Sequence, residues 1–569
     1  MQESDAGVAG ERRSRRYGRA LALAVVCAVA IACYAPALRA YFAQDDFTLL
    51  ALARLLHEPL LAFNHDHFPG SLFFRPLGIF VWWLTTALFD NAPRGHYAVN
   101  LALHLGCALS LYALLQRLRR NAPLNVLWTA VYAVHPLTIG TALWLSDRFD
   151  LIATAFLLLA VNFAVRYRRE PRAADLFAVV ACVLVAFAGK ETAIVGALAS
   201  ATLFALPDAD TRLRARQRWT AVAAVLALTA GWLAYRHALL TNPQDLLLQP
   251  GELVATFRKG IGLWLRIGFE YLVLDPRQAV WMRIVLAAAL LLLGAAVAVR
   301  LRDRGAQPIA WGVGAALLVL IFLPGPTQAP VIAVSTSDLG SQTFWFDLIG
   351  ESRLYHLSLA GALTALMLLT TPRAAASGLS RSEWIAGAAL APVLVISALT
   401  AHAIAHDYAS RTRAQIAPLQ AAHAAIAALD LPARACQIYL LDTTPLWGFD
   451  GLADPIIKAA APAAAALRLE HCLVITERTS WGNFVRSGSI GPDDYRPQRP
   501  LQYHGKPVPW LVLDGFEAAY LDLDAGIDAR AIEGAWFLEY RDGRFTDVTA
   551  AVRDGTRPVH FFNARPQRD

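Results

Sequence analysis

Charge is scarce in this chain. Only 17% of its 569 residues are Asp, Glu, Lys or Arg, while 56% are hydrophobic. Soluble domains average about 25% charged and about 45–50% apolar, so this composition excludes a disordered, solvated polymer. Lysine is scarcer still. It occurs only at Lys190, Lys259, Lys458 and Lys506, so nearly all of the 51 basic side chains are arginine. The arginines sit in short clusters between apolar runs rather than on one folded face, and nucleic acid is not an expected partner. Six cysteines are too few for a disulfide scaffold at this length. No Cys-x-x-Cys or His-x-x-x-His spacing points to zinc, and no 34-residue repeat or low-complexity tract is present.

What the chain has in abundance is long apolar runs. The first, about 21–40, follows Arg12, Arg13, Arg15, Arg16 and Arg19. It is long enough to cross the ~30 Å hydrocarbon core of a bilayer, so a retained first helix is expected rather than a cleaved signal peptide. Further spans are expected at about 97–116, 123–141, 149–166, 174–190, 191–207, 219–238, 281–300, 309–324, 354–371 and 384–400. Alternate connections carry the arginine: Arg117/Arg119/Arg120, Arg166/Arg168/Arg169/Arg172, Arg212/Arg214/Arg216/Arg218, Arg300/Arg302/Arg304 and Arg373/Arg381. Placing these clusters in the cytoplasm satisfies the positive-inside rule throughout. It also puts the N-terminus inside and the C-terminal segment outside. Two other apolar stretches, about 74–90 and 255–274, are expected as helices along the outer interface; the second holds Arg258, Lys259, Arg266 and Glu270, each costly at a bilayer centre.

The expected fold is a polytopic α-helical membrane protein. Residues 1–20 form a basic cytoplasmic N-terminus and 21–402 a transmembrane domain of about eleven spans, with a first outer loop at about 41–96. A linker helix covers 403–424. From 425 to 569 the segments ACQIYLLD, HCLVITERT, PWLVLDGF and AWFLEYRDG read as strands between Gly, Pro and Asp turns, giving an extracytoplasmic α+β domain. Cys27, Cys33, Cys107 and Cys182 lie in apolar runs and read as packing residues. Cys436 and Cys472 each open a strand-like segment in the outer domain, where either a disulfide or a pair of buried thiols fits.

The ionisable residues outside the arginine clusters gather on the outer side. Asp45 and Asp46 directly follow the first span. Neighbouring carboxylates at a membrane boundary raise one another's pKa, as a general acid or base requires, although Asp also caps helices. Asn64-His65-Asp66-His67 is a polar turn that can also ligate metal. Arg75 precedes Pro76 at the start of an interfacial helix, where a guanidinium can bind a lipid phosphate or simply snorkel. His135-Pro136 ends the third span, and Asp147, Arg148 and Asp150 open the fourth. Lys190 and Glu191 occupy a short turn between two apolar runs. Glu351, Arg353, Tyr355 and His356 stand at the start of the tenth span. Acids for proton transfer beside cations for phosphate suit transfer from a lipid-linked phosphate. A transporter would concentrate ionisable groups at mid-membrane on broken helices.

These stretches taken in order, FAQDDFTLL, FFRPLGIFVWWLTTALFDNAPRGHYAVNLALHL, VYAVHPLTIGTALWLSDRFDLIATAFLLLA, AGKETAI, LWLRIGFEYLVLDP and ESRLYHLSLAG, resemble the membrane-embedded GT-C glycosyltransferases. The likeness is to the protein O-mannosyltransferase-like group (glycosyltransferase family 39), which includes the transmembrane and tetratricopeptide-repeat mannosyltransferases, and it covers about 40–370. The resemblance implies inverting transfer of a sugar, with mannose as one candidate, from a polyprenyl-phosphate donor to an acceptor hydroxyl on a protein, glycan or lipid at the outer face of a bacterial inner membrane. It implies a general base at Asp45 or Asp46. It also implies donor-phosphate or substrate contacts at Arg75, His135, Arg148, Lys190, Glu191 and Arg353, with a divalent metal optional; the gathering of ionisable groups on the outer side adds Asp147, Asp150, Arg258, Lys259 and Glu351 as candidates. The chain departs from that group in lacking the repeats and in adding the outer domain. Two other readings are a surface-polysaccharide polymerase or ligase using lipid-diphosphate donors, and a non-catalytic transporter or assembly protein.

Overall fold

A computed structural model of the chain describes residues 2–43, 45–56, 58–64, 74–119, 122–205, 213–239, 279–302, 352, 355–372, 379–431, 436–441, 453–460, 469, 472–476, 502–503, 506–507 and 534–559. The described residues are predominantly helical. In chain order the helices begin with α1 (Gln2–Tyr34), α2 (Asp45–Leu55), α3 (Pro76–Phe89), α4 (Pro93–Leu118), α5 (Ala122–Val134) and α6 (Ile139–Leu143). Next come α7 (Arg148–Arg169), α8 (Ala173–Gly189), α9 (Ala193–Ala205), α10 (Ala215–Leu239) and α11 (Ala279–Arg302). The last are α12 (His356–Thr370), α13 (Arg381–Ala414), α14 (Ile416–Ala427), α15 (Ala453–Ala460) and α16 (Thr549–Arg553). The strands are β1 (Cys436–Leu441), β2 (Cys472–Thr476), β3 (Gln502–Tyr503), β4 (Lys506–Pro507), β5 (Ala535–Arg541) and β6 (Arg544–Asp547).

Among the described residues, five helical segments are long and apolar enough to cross a membrane: Ala20–Arg39, Pro93–Leu118, Leu145–Arg169, Ala215–Leu239 and Arg381–Ala427. A sixth is added if the bent pair Pro123–Val134 and Pro136–Leu143 counts as one span. Shorter apolar helices occupy Ala173–Gly189, Gly196–Ala205, Ile284–Arg300 and His356–Thr370, where further spans are expected, and Pro76–Phe89, where an interfacial helix is expected. The expected span at 309–324 and the stretch 255–274 lie outside the described residues.

The chain divides into two compact units. One comprises Met1–Leu38, Leu72–Gly78 and Tyr97–Asp407; the other comprises Arg39–Ser71, Ile79–His96 and Tyr408–Asp569. Most of 41–96, expected as the first outer loop, therefore clusters with the residues from Tyr408 onward.

The first unit is organised around the α7–α8 hairpin. With 22 residues, α7 spans ~33 Å. Its last turn carries Arg166, Arg168 and Arg169, and its start carries Arg148 and Asp150. Helix α8 returns alongside it, so each end of the hairpin is tied by charge. Arg166 meets Asp175 at 2.7 Å at one end, and Lys190 meets Asp150 at the other. Between these ties Leu157, Ala160 and Ala164 of α7 share a core with Val179, Val183 and Phe187 of α8, Ala193, Ala197 and Phe204 of α9, and Val225 of α10. The many alanines remove bulk at the contact and let the helices approach closely. Helix α13 is fastened to α1 by His402 Nδ1 and Cys33 Sγ, which donate to the carbonyls of Ala32 and Ala398 at 3.2 and 3.5 Å.

The second unit contains α2, α14, α15, the sheet and the turn joining α3 to α4. Its sheet has the order β2-β1-β5-β6, with β1 parallel to both β2 and β5, and β6 antiparallel to β5. The chain from β1 to β2 contains α15, the crossover that a parallel pair needs. Cys436 and Cys472 are direct cross-strand partners in the β1–β2 register and are joined by a disulfide, Cα–Cα 4.4 Å. Tyr439 stacks at 4.9 Å on Phe537, its partner in the β1–β5 register.

Candidate functional site

In the first unit a group of charged side chains forms where helices begin and end. Arg75 immediately precedes α3, Arg148 and Asp150 open α7, and Lys190 and Glu191 occupy the turn between α8 and α9. The Arg75 fork meets the Glu191 carboxylate with both arms: Nε donates to Oε2 at 3.0 Å and Nη2 to Oε1 at 2.5 Å. The two side chains are only 14% and 13% exposed. The Arg75 guanidinium also lies over the Phe149 ring, 5.4 Å from its centroid, a cation–π contact. Close approach is possible there because Gly78 faces the same ring: a Cβ on Gly78 would fall 1.8 Å from Phe149 Cδ1.

One turn away, Lys190 Nζ donates to Asp150 Oδ2, with both side chains nearly buried. Arg148 is fully buried and donates through Nε to Asn100 Oδ1 at 3.0 Å. Asn100 is itself oriented by donating to the carbonyls of Thr141 and Trp144, at 3.2 and 3.4 Å. Asp147 is buried beside them.

Burial alone would raise the Glu191 pKa. The charge and hydrogen bonds of Arg75, with Lys190 adding a smaller attraction, outweigh it and hold the carboxyl at about 2. Burial would likewise weaken protonation of Arg75, but Glu191, and at longer range Asp150 and Asp147, more than offset it. Arg236 of α10 lies close enough to feel both Glu191 and Arg75. The carboxylates and cations therefore neutralise one another, and an anionic ligand would bind here by exchanging partners with Glu191 or Asp150.

His135 has a local job. It is extended, as the residue before a proline must be, and its Nδ1 accepts from Leu137 N at 3.2 Å, capping the short turn Pro136–Thr138. Pro136 breaks the expected third span at this point, and the two halves meet at 59°.

Asp45 and Asp46 belong to the second unit, at the first turn of α2. Asp46 is completely buried. Its Oδ2 accepts from Ala43 N at 3.0 Å while its own N donates to Ala43 O at 3.1 Å. Phe42 and Phe47 lie 6.0 Å apart beside it. Asp45 is partly exposed. Arg258, Lys259, Glu351 and Arg353, like His65, Asp66 and His67, lie outside the described residues.

Other participants escaped the sequence reading. His96, Asn100 and His104 recur every fourth residue on α4, and all are fully buried, a polar stripe at helical spacing. In the first unit the stripe continues into a buried polar cluster. His104 Nε2 donates to Ala133 O at 2.8 Å, Tyr132 OH meets His356 Nε2 at 3.0 Å, and His356 Nδ1 meets Thr154 Oγ1 at 3.3 Å. Arg54 is a second omission and proves central to α2. Among the described residues no group of three or more His, Cys, Asp or Glu side chains is placed to hold a metal ion.

No family model, curated protein or solved structure matches the chain.

Proposed function

We propose that the chain is an inverting, GT-C-like glycosyltransferase. In this reading it moves a sugar from a polyprenyl-phosphate donor to an acceptor hydroxyl at the periplasmic face of a bacterial inner membrane. The observation that carries the reading is the charged cluster Arg75–Glu191, Lys190–Asp150 and Arg148–Asn100. Residues picked out separately along the sequence as donor-site candidates are neighbours at one end of the α7–α8 hairpin. Ionisable residues within membrane segments are rare and by default mark substrate or ion sites. The arginines at the other end of the hairpin fit a cytoplasmic side, and the Cys436–Cys472 bond fits an oxidising compartment for the second unit.

In the proposed reaction an Asp of α2 takes the proton of the acceptor hydroxyl as that oxygen attacks the anomeric carbon. The bond from that carbon to the phosphate oxygen breaks, and the resemblance to the GT-C enzymes implies that cations such as Arg75, Lys190 and Arg148 offset the charge on the departing lipid phosphate. Asp45 is the better base because it is partly exposed, whereas Asp46 is completely buried.

The test is transfer of radiolabelled sugar from polyprenyl monophosphate in lipid nanodiscs. Asp45→Asn should lower kcat by about 10²–10⁴-fold, the usual contribution of a general base, with membrane insertion intact. Full activity in both Asp45→Asn and Asp46→Asn would sink the assignment. Turnover only with lipid diphosphate would favour the polymerase or ligase reading. The break at His135–Pro136 is the kind of feature a transporter uses. Solute flux with no transfer from either donor would favour that alternative.

A further inference from the structure

Within the second unit, Arg54 at the end of α2 commits its whole guanidinium to two other segments. Nε and Nη2 donate to Asp90 Oδ1 at 3.1 and 2.9 Å, and Nη2 also meets Asn91 Oδ1, so one side of the fork grips the turn that joins α3 to α4. Nη1 donates to the carbonyl of Ala459 at 2.9 Å. Asp90 holds that turn with φ at +42°, uncommon for a residue with a side chain. Its own carbonyl meets His96 Nε2 at 3.0 Å.

Ala459 is near the end of α15, where the last carbonyls have no partner inside the helix. Two of them are satisfied by side chains: His423 Nε2 donates to Ile457 O at 2.7 Å, and Arg54 takes Ala459 O. A cation at a helix C-terminus is favourable in its own right. Helix α15 packs against α2 and β2, and its Ile456, Ile457 and Ala459 are buried. It belongs to the chain segment between β1 and β2, which the Cys436–Cys472 disulfide closes. A mechanical route therefore runs from the disulfide-closed crossover through α15 and Arg54 to α2, the helix that carries Asp45 and Asp46.

We infer that Arg54 is a positioning residue and that the C-terminal sheet region serves as the clamp that sets the orientation of the Asp45/Asp46 helix. This rests on the proposal that an Asp of α2 is the base. It assigns the C-terminal region a part in the chemistry, in addition to any acceptor it binds. Arg54 touches no reacting atom in this scheme. It acts by holding the helix that does, and misplacing a catalytic group by about 1 Å can cost around a hundredfold in rate.

The experiment uses the full chain in nanodiscs, with Arg54→Gln, Arg54→Lys and Asp90→Asn. Amide hydrogen exchange is followed in peptides covering 45–56, and transfer kinetics are measured with the polyprenyl-monophosphate donor. Arg54→Gln should speed exchange in 45–56 while leaving peptides of α7 and α8 unchanged. It should lower kcat roughly tenfold to a hundredfold with donor KM unchanged. Arg54→Lys, which keeps the charge and loses the fork, should fall between Arg54→Gln and the parent. Should Arg54→Gln fail to insert, Asp90→Asn is judged by the same two readouts, because it removes the charge Arg54 grips. Parental exchange and kcat in these variants would overturn the inference, as would faster exchange with parental kcat in a protein that Asp45→Asn inactivates. If Asp45→Asn and Asp46→Asn both stay fully active, the proposed base is what fails. Arg54 is then judged on exchange alone, where unchanged protection of 45–56 refutes the clamp.

Discussion

The Arg75–Glu191 pair gives the sharpest quantitative expectation. A carboxyl held at about 2 against an ordinary 4.5 corresponds to roughly 3 kcal/mol of stabilisation, at 1.36 kcal/mol per unit. Both side chains are more than four-fifths buried, so solvent screening removes little of it. The pKa is depressed in the folded state. The contribution is therefore complete above pH ~4.5 and is lost as pH falls through that value toward about 2. Glu191→Gln leaves the Arg75 charge buried beside a neutral amide, and Arg75→Gln does the reverse to Glu191. Breaking a buried pair from one side costs about 3–5 kcal/mol. The double variant strands neither charge and should cost much less than the sum. Equilibrium unfolding by sodium dodecyl sulfate in mixed lipid micelles gives the four free energies of the cycle. A coupling of about 2–4 kcal/mol is expected at pH 7, shrinking near pH 3. Strictly additive losses, or a coupling indifferent to pH between 7 and 3, would mean that the fork does not grip Glu191. Arg236 is the charged neighbour to control for, because it feels both partners.

Two further expectations follow from close contacts. Gly78→Ala would ordinarily strengthen a helix by up to about 1 kcal/mol, but its Cβ would sit 1.8 Å from Phe149 Cδ1. Overpacking costs about 1–3 kcal/mol, so the same unfolding assay should show net destabilisation, and Phe149→Leu in the same chain should recover part of it; net stabilisation would refute the contact. In the second unit, alkylation under denaturing conditions should label Cys27, Cys33, Cys107 and Cys182 alone and all six cysteines after reduction. Six labels without reductant would refute the bridge. The Cys436–Cys472 bond closes a separation of 36 residues, worth about 4 kcal/mol in the chain-entropy model. Cys436→Ser should therefore lower the unfolding stability of the second unit by an amount of that order.

Periodicity and run length carried most of what the sequence could say about the helices. Every expected apolar run among the described residues is helical, because a continuous apolar stretch of that length leaves the backbone no cheaper way to satisfy its polar groups. Run length alone did not fix how each helix is finished. The 123–141 run reads as one span, yet Pro136 removes a donor and forces His135 into extended backbone, so the run folds as two helices meeting at 59°. Asp46 could be read only as a solvated cap or a catalytic acid. In the structure it caps the turn at Ala43 and is completely buried. Lys190 and Glu191 are adjacent in a short turn, yet each is bonded to a residue far away in sequence, Lys190 to Asp150 and Glu191 to Arg75. Such pairings depend on which helix termini become neighbours, and residue spacing carries no record of that. Arg54 was missed for the same reason. In the sequence it is one arginine in a largely apolar stretch, and its importance comes from the carbonyl of Ala459, 405 residues away.

The two halves of the proposed chemistry thus rest on different physical footings. The cations proposed to face the donor, Arg75 and Lys190 of the first unit, are held by carboxylates at helix ends, beside a packed apolar core that fixes those helices. The base-bearing helix of the second unit has only 11 residues, marginal in isolation, and depends on what grips it. Arg54 supplies that grip from the far end of the helix, and its partner carbonyl lies on a crossover closed by a covalent bond. A short helix held at one end by a forked cation and at the other by the Asp46–Ala43 turn has little freedom to change the direction of Asp45. Perturbing either end should therefore affect turnover more than donor affinity, whereas perturbing Arg75 or Lys190 should affect both, because the phosphate they are proposed to stabilise is already present in the bound donor. A donor KM effect for Arg54→Gln, or an unchanged donor KM for Arg75→Gln, would reverse that division and with it the assignment of roles.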